Sequence, residues 1–266
     1  MLKFSANIGL LFTELPFEER FAAARNAGFT AVEFPCPEGI KPSEIARLLR
    51  DARLEQSLAN MPYHPSDLGI AAAPGREREF LERLEIAFSY IDASGCRTLH
   101  VLAGKRPAGT AQEDCDETLV RNLEVAALLA SRRNLTVVLE AINRRDVPDF
   151  SLSSVHHAAQ IVRNVAKPNV RLLLDLYHAG TVGEDMNTVL STYSADAGYV
   201  QLAGFANRNE PDDGAADYAE LLARLSEAGY SGYVGCEYRP TSGTTEGFAW
   251  LARHVGGIRK SVCEAG

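Results

Sequence analysis

Short apolar runs rich in β-branched residues alternate with longer amphipathic stretches along the chain. This alternation is typical of repeated strand–helix units. We predict eight strands, at 4–6, 31–34, 56–59, 98–102, 136–140, 170–175, 199–203 and 233–237. We predict helices between them, at 17–27, 42–53, 76–93, 117–132, 154–165, 185–193 and 218–228, with a last helical segment from Glu246 onward.

Local chemistry marks several of these boundaries. Gly28, Gly95 and Gly229 each follow a predicted helix and precede a strand, where glycine ends a helix without steric cost. Ser43 and Ser154 lie near helix starts, where a hydroxyl can cap free N–H groups. Eight such units without a long linker predict an α/β fold, a single (β/α)8 TIM barrel. A doubly wound open sheet gives a similar alternation, so the count alone leaves that alternative open.

Length, composition and charge narrow the class of protein. At 266 residues the chain has the length that one α/β barrel fills, and we expect residues 1–266 to form one catalytic domain. A chain of this size, 46% hydrophobic, can bury a large core without disulfides or a structural metal. The formal net charge of −8 argues against a non-specific nucleic-acid or anionic-membrane surface, because both need a positive field. No apolar run approaches the ~20 residues of a membrane helix.

The five cysteines are scattered and contain no CxxC pair, which favours neither a disulfide framework nor a zinc–thiolate site. Free thiols suit a reducing compartment. The first residues become polar almost at once and lack the apolar core of a signal peptide. The sequence therefore predicts a soluble, cytoplasmic protein. It leaves the oligomeric state open, and a homo-oligomer is compatible with it.

Four of the later predicted strands carry, at or near their ends, a polar group that a barrel core normally rejects: Glu140, Asp175, Gln201 and Glu237. In a barrel, the catalytic face is where strands end and the following loops begin. Adjacent strands lie about 4.8 Å apart, so these groups can converge on one point. Three carboxylates there repel one another unless a cation or a shared proton intervenes. Four oxygen donors favour a hard divalent ion, Mg2+ or Mn2+.

Several motifs, in order along nearly the whole chain, carry a resemblance to a known family. They include Phe4-Ser-Ala-Asn7, Val32-Glu33-Phe34, Leu139-Glu140-Ala-Ile-Asn143, Leu174-Asp175-Leu-Tyr-His178, Arg208-Asn-Glu-Pro211 and Gly235-Cys-Glu237-Tyr-Arg-Pro240. Together they resemble the hydroxypyruvate isomerase family, which belongs with the sugar isomerase and epimerase barrels related to xylose isomerase.

The resemblance implies an aldose–ketose type isomerisation of a small-molecule substrate. In it, hydroxypyruvate and tartronate semialdehyde interconvert as a proton moves between adjacent carbons. The resemblance also implies that Glu140, Asp175, Gln201 and Glu237 ligate the metal, with Glu140 and Glu237 as the acid/base pair. Related ketose epimerases commonly carry histidine where this chain has Gln201. Because a neutral amide oxygen is a weaker ligand than imidazole, we expect modest metal affinity.

Four further residues are candidates for substrate binding: His178, Arg208, Asn7 and Asp146. His178 lies just past the end of the sixth strand, and Arg208 could pair bidentately with a substrate carboxylate. Asn7 closes the first strand and can donate a hydrogen bond. Asp146 follows Glu140 in the same loop. Each also has a structural interpretation, as a loop residue bonded to backbone or a solvated charge.

One departure from the family pattern keeps the exact substrate open. An acidic residue is expected after Gln201-Leu-Ala, and this chain has Gly204-Phe205-Ala206 instead. A ketose 3-epimerase or a 2-oxo-tetronate-type sugar-acid isomerase would use the same four strand-end groups. His64 and His100, near strand ends, also admit a multi-zinc phosphodiester hydrolase, although such enzymes need more histidine ligands. A non-enzymatic binding protein is the last alternative, and retention of all four groups argues against it.

Overall fold

In this computed structural model the strands pair in parallel, in sequence order. The structure describes residues 2–212 and 214–254. The strands are β1 (Lys3–Asn7), β2 (Ala31–Pro35), β3 (Glu55–Asn60), β4 (Thr98–Val101), β5 (Thr136–Glu140), β6 (Val170–Asp175), β7 (Ala197–Leu202) and β8 (Tyr233–Cys236). β1 pairs with β8, from Lys3 opposite Tyr233 to Ala6 opposite Cys236, and this pairing closes the barrel. The predicted (β/α)8 TIM barrel is confirmed, and the open sheet is excluded because no strand is left at an edge.

A helix or a pair of helices follows each strand, and the helices pack on the outside of the barrel. They are α1 (Arg20–Asn26), α2 (Pro42–Ala52), α3 (Glu77–Ser94), α4 (Gln112–Ser131), α5 (Val155–Val165), α6 (Leu176–Thr181), α7 (Met186–Tyr193), α8 (Tyr218–Glu227) and α9 (Ala249–His254). Short 3-10 turns occur at Phe17–Glu19, Ser194–Asp196 and Glu246–Phe248. No helix in the described ranges combines the length and apolarity needed to cross a membrane.

The barrel interior contains an apolar layer directly below the strand ends. Leu58, Val138, Leu173 and Tyr199 form a buried cluster separate from the main core. Because side chains alternate along a strand, residues two apart share a face. Val138 therefore lies one step below Glu140, Leu173 below Asp175, and Tyr199 below Gln201. This layer forms a floor beneath the polar groups.

One predicted helix start and one predicted helix cap were wrong. α4 begins at Gln112, five residues before the predicted start, because the polar first turn Gln-Glu-Asp gives no apolar signal. α2 begins at Pro42 after Lys41 with no side-chain cap, so Ser43 is not a capping residue. The other cap is confirmed, because Ser154 Oγ accepts from the His157 N–H at 3.2 Å. Gly95 ends α3 in the left-handed region at φ +76°, as predicted.

The loops that follow β1 and β8 are bonded to each other beside the barrel mouth. The Phe12 N–H donates to Thr244 Oγ1 at 2.7 Å, and that hydroxyl donates to Glu14 at 3.0 Å. Phe12 also packs against Phe248 with ring centroids 5.8 Å apart. The first and last barrel segments are thus joined above the sheet as well as within it.

Candidate active site

The four predicted ligands lie together at the carboxyl ends of four consecutive strands. Glu140 and Asp175 are the last residues of β5 and β6, Gln201 is next to last in β7, and Glu237 directly follows β8. Asp175 is in register with Gln201, and Gln201 with Gly235. The first three side chains are buried, at 5%, 3% and 3% exposure, and Glu237 is partly buried. The structure therefore confirms that the strand ends bring these polar groups to one mouth.

His178 approaches the same carboxylates because a short helix starts directly after β6. Asp175 accepts a hydrogen bond from the Tyr177 N–H at 2.7 Å and so caps α6. The helix α6 was not predicted. His178 Nε2 then lies 3.7 Å from Glu140 Oε1 and 3.7 Å from Asp175 Oδ2. Candidate ligand atoms of Glu140, Asp175 and His178 all lie within 4.8 Å of one another. This buried cluster could hold a metal ion.

Hydrogen bonds on the far side of the ring assign a proton to Nε2 of His178. The Asn143 side-chain amide lies 2.7 Å from His178 Nδ1, and the Asn143 N–H donates to the same atom at 3.4 Å. The Asn143 Oδ1 atom is occupied by the Asp146 N–H at 2.9 Å, so its NH2 group faces the imidazole. With Nδ1 as acceptor, neutral His178 carries its hydrogen on Nε2. It therefore presents a donor to Glu140 and Asp175.

Burial dominates the electrostatics of this mouth. It raises the pKa of Glu140 well above the usual range, and the neighbouring Asp175 and Glu237 charges add to the effect. Burial also raises the pKa of Asp175 and of Glu237, but Arg208 opposes both shifts. It lowers the pKa of His178 to about 3, with Arg208 as the next cause, so this ring is neutral.

The donor set fits a hard divalent cation. Glu140 Oε1 and Gln201 Oε1 are buried acceptor atoms without a hydrogen-bond partner. A buried acceptor without a partner is costly, and two of them next to Asp175 would be satisfied by a cation. Carboxylate and amide oxygens are the ligands that Mg2+ and Mn2+ prefer.

The loop that follows β7 brings the Arg208 guanidinium to this mouth. The backbone of Arg208 is left-handed, at φ +58°, and its carbonyl accepts the Arg239 N–H at 2.8 Å. Its Nη2 atom lies 2.6 Å from Glu237 Oε2 and 4.0 Å from Asp175 Oδ2. The guanidinium also lies 5.1 Å from the centre of the Tyr177 ring. Arg208 therefore holds a positive charge beside two of the predicted ligands.

The other two predicted substrate residues take different positions. The Asn7 Nδ2 atom donates to Glu237 Oε1 at 3.2 Å, so Asn7 contacts the four-residue set directly. Asp146 is farther out, where it accepts the Tyr177 hydroxyl at 2.6 Å and pairs with Arg145. Both positions are compatible with the predicted roles, which remain predictions.

Sequence reasoning missed Glu33 as a site residue. Glu33 lies in β2, is 1% exposed, and accepts hydrogen bonds from Asn7, Tyr199 and Gln201. Burial and then the Glu237 charge raise its pKa to about 8. The available signal was a lone carboxyl within the apolar run Ala-Val-Glu-Phe, which is costly to bury without partners.

Of the two strand-end histidines, only His100 reaches the site. His100 Nε2 lies 3.5 Å from Glu140 Oε2, and neither ring nitrogen has a hydrogen-bond partner. His64 is exposed and bonds to Ser66 in its own loop. Within residues 2–212 and 214–254, one cluster of three or more histidine, cysteine or acidic side chains has metal-binding spacing.

An open cavity of about 760 Å3 lies above the strand ends. Its lining consists of Leu10, Tyr63, Leu68, Arg145, Asp146, Val147, Tyr177, Ala206, Asn207, Arg208, Glu237 and Arg239. Phe205, which marks the departure from the family pattern, is outside this lining. It packs on Tyr218, with ring centroids 5.2 Å apart, and against Gly180, where an added Cβ would lie 2.4 Å from the Phe205 ring.

Comparison with known proteins decides the family. The family model described as xylose isomerase-like TIM barrel matches residues 21–254. Hydroxypyruvate isomerase of Escherichia coli K12 is 34% identical over 254 residues, covering 94% of this chain and 98% of that protein. The chain belongs to the xylose isomerase-like TIM-barrel family. The resemblance drawn from the motifs is thus confirmed.

Other proteins similar to this chain carry different names. A 2-oxo-tetronate isomerase of Cupriavidus necator is 36% identical over 259 residues, covering 96% of this chain and all of that protein. A crystal structure named AP endonuclease, family 2, from Brucella melitensis is 38% identical, with a TM-score of 0.92 over 96% of this chain and 99% of that one.

Proposed function

We propose that this protein is an isomerase that interconverts hydroxypyruvate and tartronate semialdehyde, or a closely related short oxo acid, by proton transfer between adjacent carbons. Relatives with both isomerase names span nearly the whole chain. The observation that carries the proposal is the position of one guanidinium, Arg208, at the mouth of the barrel, 2.6 Å from Glu237 and 4.0 Å from Asp175, whose neighbour there is Glu140. Paired carboxyls beside a cation suit proton transfer next to a carbonyl.

Glu140 and Glu237 are the proposed acid/base pair. Burial raises the pKa of both groups, and that of Glu140 well above its usual range, whereas Arg208 opposes the shift more strongly at Glu237, with which it forms an ion pair. Two carboxyls in different environments can act as acid and base near neutral pH. The ion pair with Arg208 suits Glu237 as the group that removes a proton from carbon, and Glu140 as the group that returns one.

Arg208 and His178 are proposed to bind substrate oxygens. Arg208 is a fork of donors directed at the mouth, and it suits the carboxylate that every 2-oxo acid carries. Neutral His178 presents its Nε2 hydrogen beside Glu140 and can donate to an oxygen that gains negative charge as the enediolate forms. Asn7 and Asp146 are proposed to contact substrate hydroxyls.

The proposed metal ligands are Glu140, Asp175, Gln201 and Glu237, with Mg2+ or Mn2+ as the ion. The two buried acceptors without a partner, on Glu140 and Gln201, support this set. His178 is left out because its Nδ1 atom is bonded to Asn143 and its Nε2 atom carries hydrogen. When bound, a divalent cation would supply positive charge next to the substrate oxygens.

A four-carbon sugar acid is the second candidate substrate. The cavity of about 760 Å3 extends well beyond the strand ends and includes Arg145 and Arg239 on its wall. It therefore has room for a longer polar chain than that of a three-carbon acid. A ketose 3-epimerase is less favoured, because a ketose has no carboxylate for Arg208.

Product analysis tests the proposal. Purified protein with Mn2+ is incubated with hydroxypyruvate, a 2-oxo-tetronate or a ketose in D2O, and products and deuterium incorporation are followed by proton NMR. We expect isomerisation of at least one of the two acids, with label at the carbon that accepts the proton. Turnover of the ketose alone would establish the epimerase alternative. Cleavage of an abasic-site DNA duplex without isomerisation would establish a nuclease.

A further inference from the structure

Glu33 connects two members of the proposed metal set through hydrogen bonds. Gln201 Nε2 donates to Glu33 Oε1 at 2.7 Å, and Asn7 Nδ2 donates to the same oxygen at 3.0 Å. Asn7 Nδ2 in turn lies 3.2 Å from Glu237 Oε1. Glu33 is therefore bonded to Gln201 directly and to Glu237 through Asn7.

Glu33 fixes which way the Gln201 amide faces. A carboxyl oxygen between two amide groups accepts from their N–H groups, so the NH2 end of Gln201 must face Glu33. The Gln201 Oε1 atom then points away from Glu33, and it is buried without a partner. A rotated amide would place two oxygens against each other and a nitrogen towards the site.

This orientation does not depend on the charge of Glu33. The other oxygen of Glu33 contacts the Tyr199 hydroxyl, which is 2.8 Å from Ser57 Oγ, itself 2.6 Å from Ser5 Oγ. Hydroxyl groups can reverse their direction of donation. This row of hydroxyls can therefore accept a hydrogen bond from protonated Glu33 or donate one to its charged form. Glu33 Oε1 remains the acceptor for Gln201 in both states.

The fold reserves space for this carboxyl. Gly235 of β8 faces Glu33, and an added Cβ at Gly235 would lie 2.4 Å from Glu33 Oε2 and 2.7 Å from Oε1. Residues of β1, β7 and β8 thus surround the Glu33 carboxyl of β2.

We propose that Glu33 is a positioning residue that holds Gln201 with its amide oxygen towards the carboxylates, and thereby sets the affinity of the site for a divalent cation. The inference rests on the proposed metal site. Mutation of a residue that is hydrogen-bonded to a metal ligand typically lowers metal affinity about 10–100-fold.

Two conservative variants separate positioning from charge. Glu33→Gln keeps the reach of the side chain and an acceptor oxygen, and its NH2 group can donate to Tyr199. Glu33→Asp keeps the charge but withdraws the oxygens by one carbon–carbon bond. Mn2+ affinity is measured by calorimetry on the full-length protein freed of metal, with thermal unfolding as the control for folding.

Positioning predicts that Glu33→Gln binds Mn2+ within about 3-fold of the parent protein, while Glu33→Asp loses about 10-fold or more. The reverse order would show that charge alone matters and would overturn the inference. Equal affinities for all three proteins, or no Mn2+ binding by the parent, would overturn it as well. Gly235→Ala is a second route, because it displaces Glu33 without altering a ligand, and it should also weaken Mn2+ binding.

Activity assays distinguish this inference from the proposed function. If the parent binds Mn2+ with the predicted order of variants but isomerises no oxo acid, the proposed function fails and the role of Glu33 stands. If the parent isomerises an oxo acid while Glu33→Asp binds Mn2+ like the parent, only the role of Glu33 fails.

Discussion

Arg208 Nη2 lies 2.6 Å from Glu237 Oε2, so the proposed substrate-binding cation and the proposed base form an ion pair. A substrate carboxylate bound by Arg208, as proposed, would share or replace this contact, and its negative charge would then approach Glu237. Under this proposal, binding and proton removal are coupled through one guanidinium. The coupling makes Arg208 a sensitive position for mutation.

Replacing Arg208 with lysine should raise the KM for an oxo acid and lower kcat/KM about 10-fold or more, because lysine keeps the charge but loses the planar fork. Steady-state kinetics on the substrate identified by NMR measures both constants. Arg239→Lys is the matched control, since Arg239 lines the same cavity without contacting the carboxylates. Equal effects of the two variants would show that Arg208 contributes only positive charge to the cavity and does not bind the substrate carboxylate directly.

Replacing Glu140 or Glu237 with glutamine should lower turnover by about two to four orders of magnitude, because each change removes a proton-transfer group while preserving shape. The measurement is kcat at saturating Mn2+ and substrate. Glu55→Gln is the control, because Glu55 is exposed at the opposite end of β3, bonded to Tyr233. Near-normal turnover in both site variants would rule out the acid/base assignment.

The buried His100 should make the fold sensitive to acid. Burial, and secondarily His178, lowers the pKa of His100 from 6.5 to about 3. Between these pH values the unfolded chain binds a proton that the folded chain does not, so stability is lost as pH falls below 6.5. One and a half pH units correspond to about 2 kcal/mol for one such group.

Urea unfolding at pH 7 and pH 5 tests this sensitivity. His100→Gln, which has no titrating ring, should lose about 2 kcal/mol less than the parent between the two pH values. The comparison between proteins cancels the opposite contribution of carboxyls that both share. A parallel loss in the two proteins would contradict the expected titration of His100.

The thiols in the described ranges should be unreactive in the native protein. Burial raises the pKa of Cys36 and of Cys96 to about 12, and it raises that of Cys115 and of Cys236. Because the thiolate is the reactive form, iodoacetamide at pH 7.5 should leave these four unmodified for hours. Mass spectrometry of digests checks this, with protein in urea as the fully labelled control. Cys263 lies outside the described residues.

Sequence predicted the strands best where a local signal coincides with a structural boundary. β5 and β6 were predicted with their observed ends, because each is an apolar run closed by a carboxylate. α6 was missed, because six residues that include Gly180 show no helical period. Propensity is a weak guide for so short an element, and here the Asp175 cap starts the helix.

The site was predictable as far as each residue carries its own signal. Glu140, Asp175 and Glu237 stand out as carboxyls after apolar strands, and the structure brings them to one mouth. Glu33 was missed because its meaning comes from Asn7 and Gln201, 26 and 168 residues away. Such hydrogen bonds form only in the folded structure, so no local sequence pattern predicts them.

Asn7 and Glu237 are 230 residues apart and meet where β1 pairs with β8. The proposed site therefore lies across the strand pairing that closes the barrel. A chain still emerging from the ribosome, or one cut before β8, would lack one wall of the site however well its other strands had formed. If the proposed cation site is correct, cation binding by the full-length protein would report that the barrel has closed.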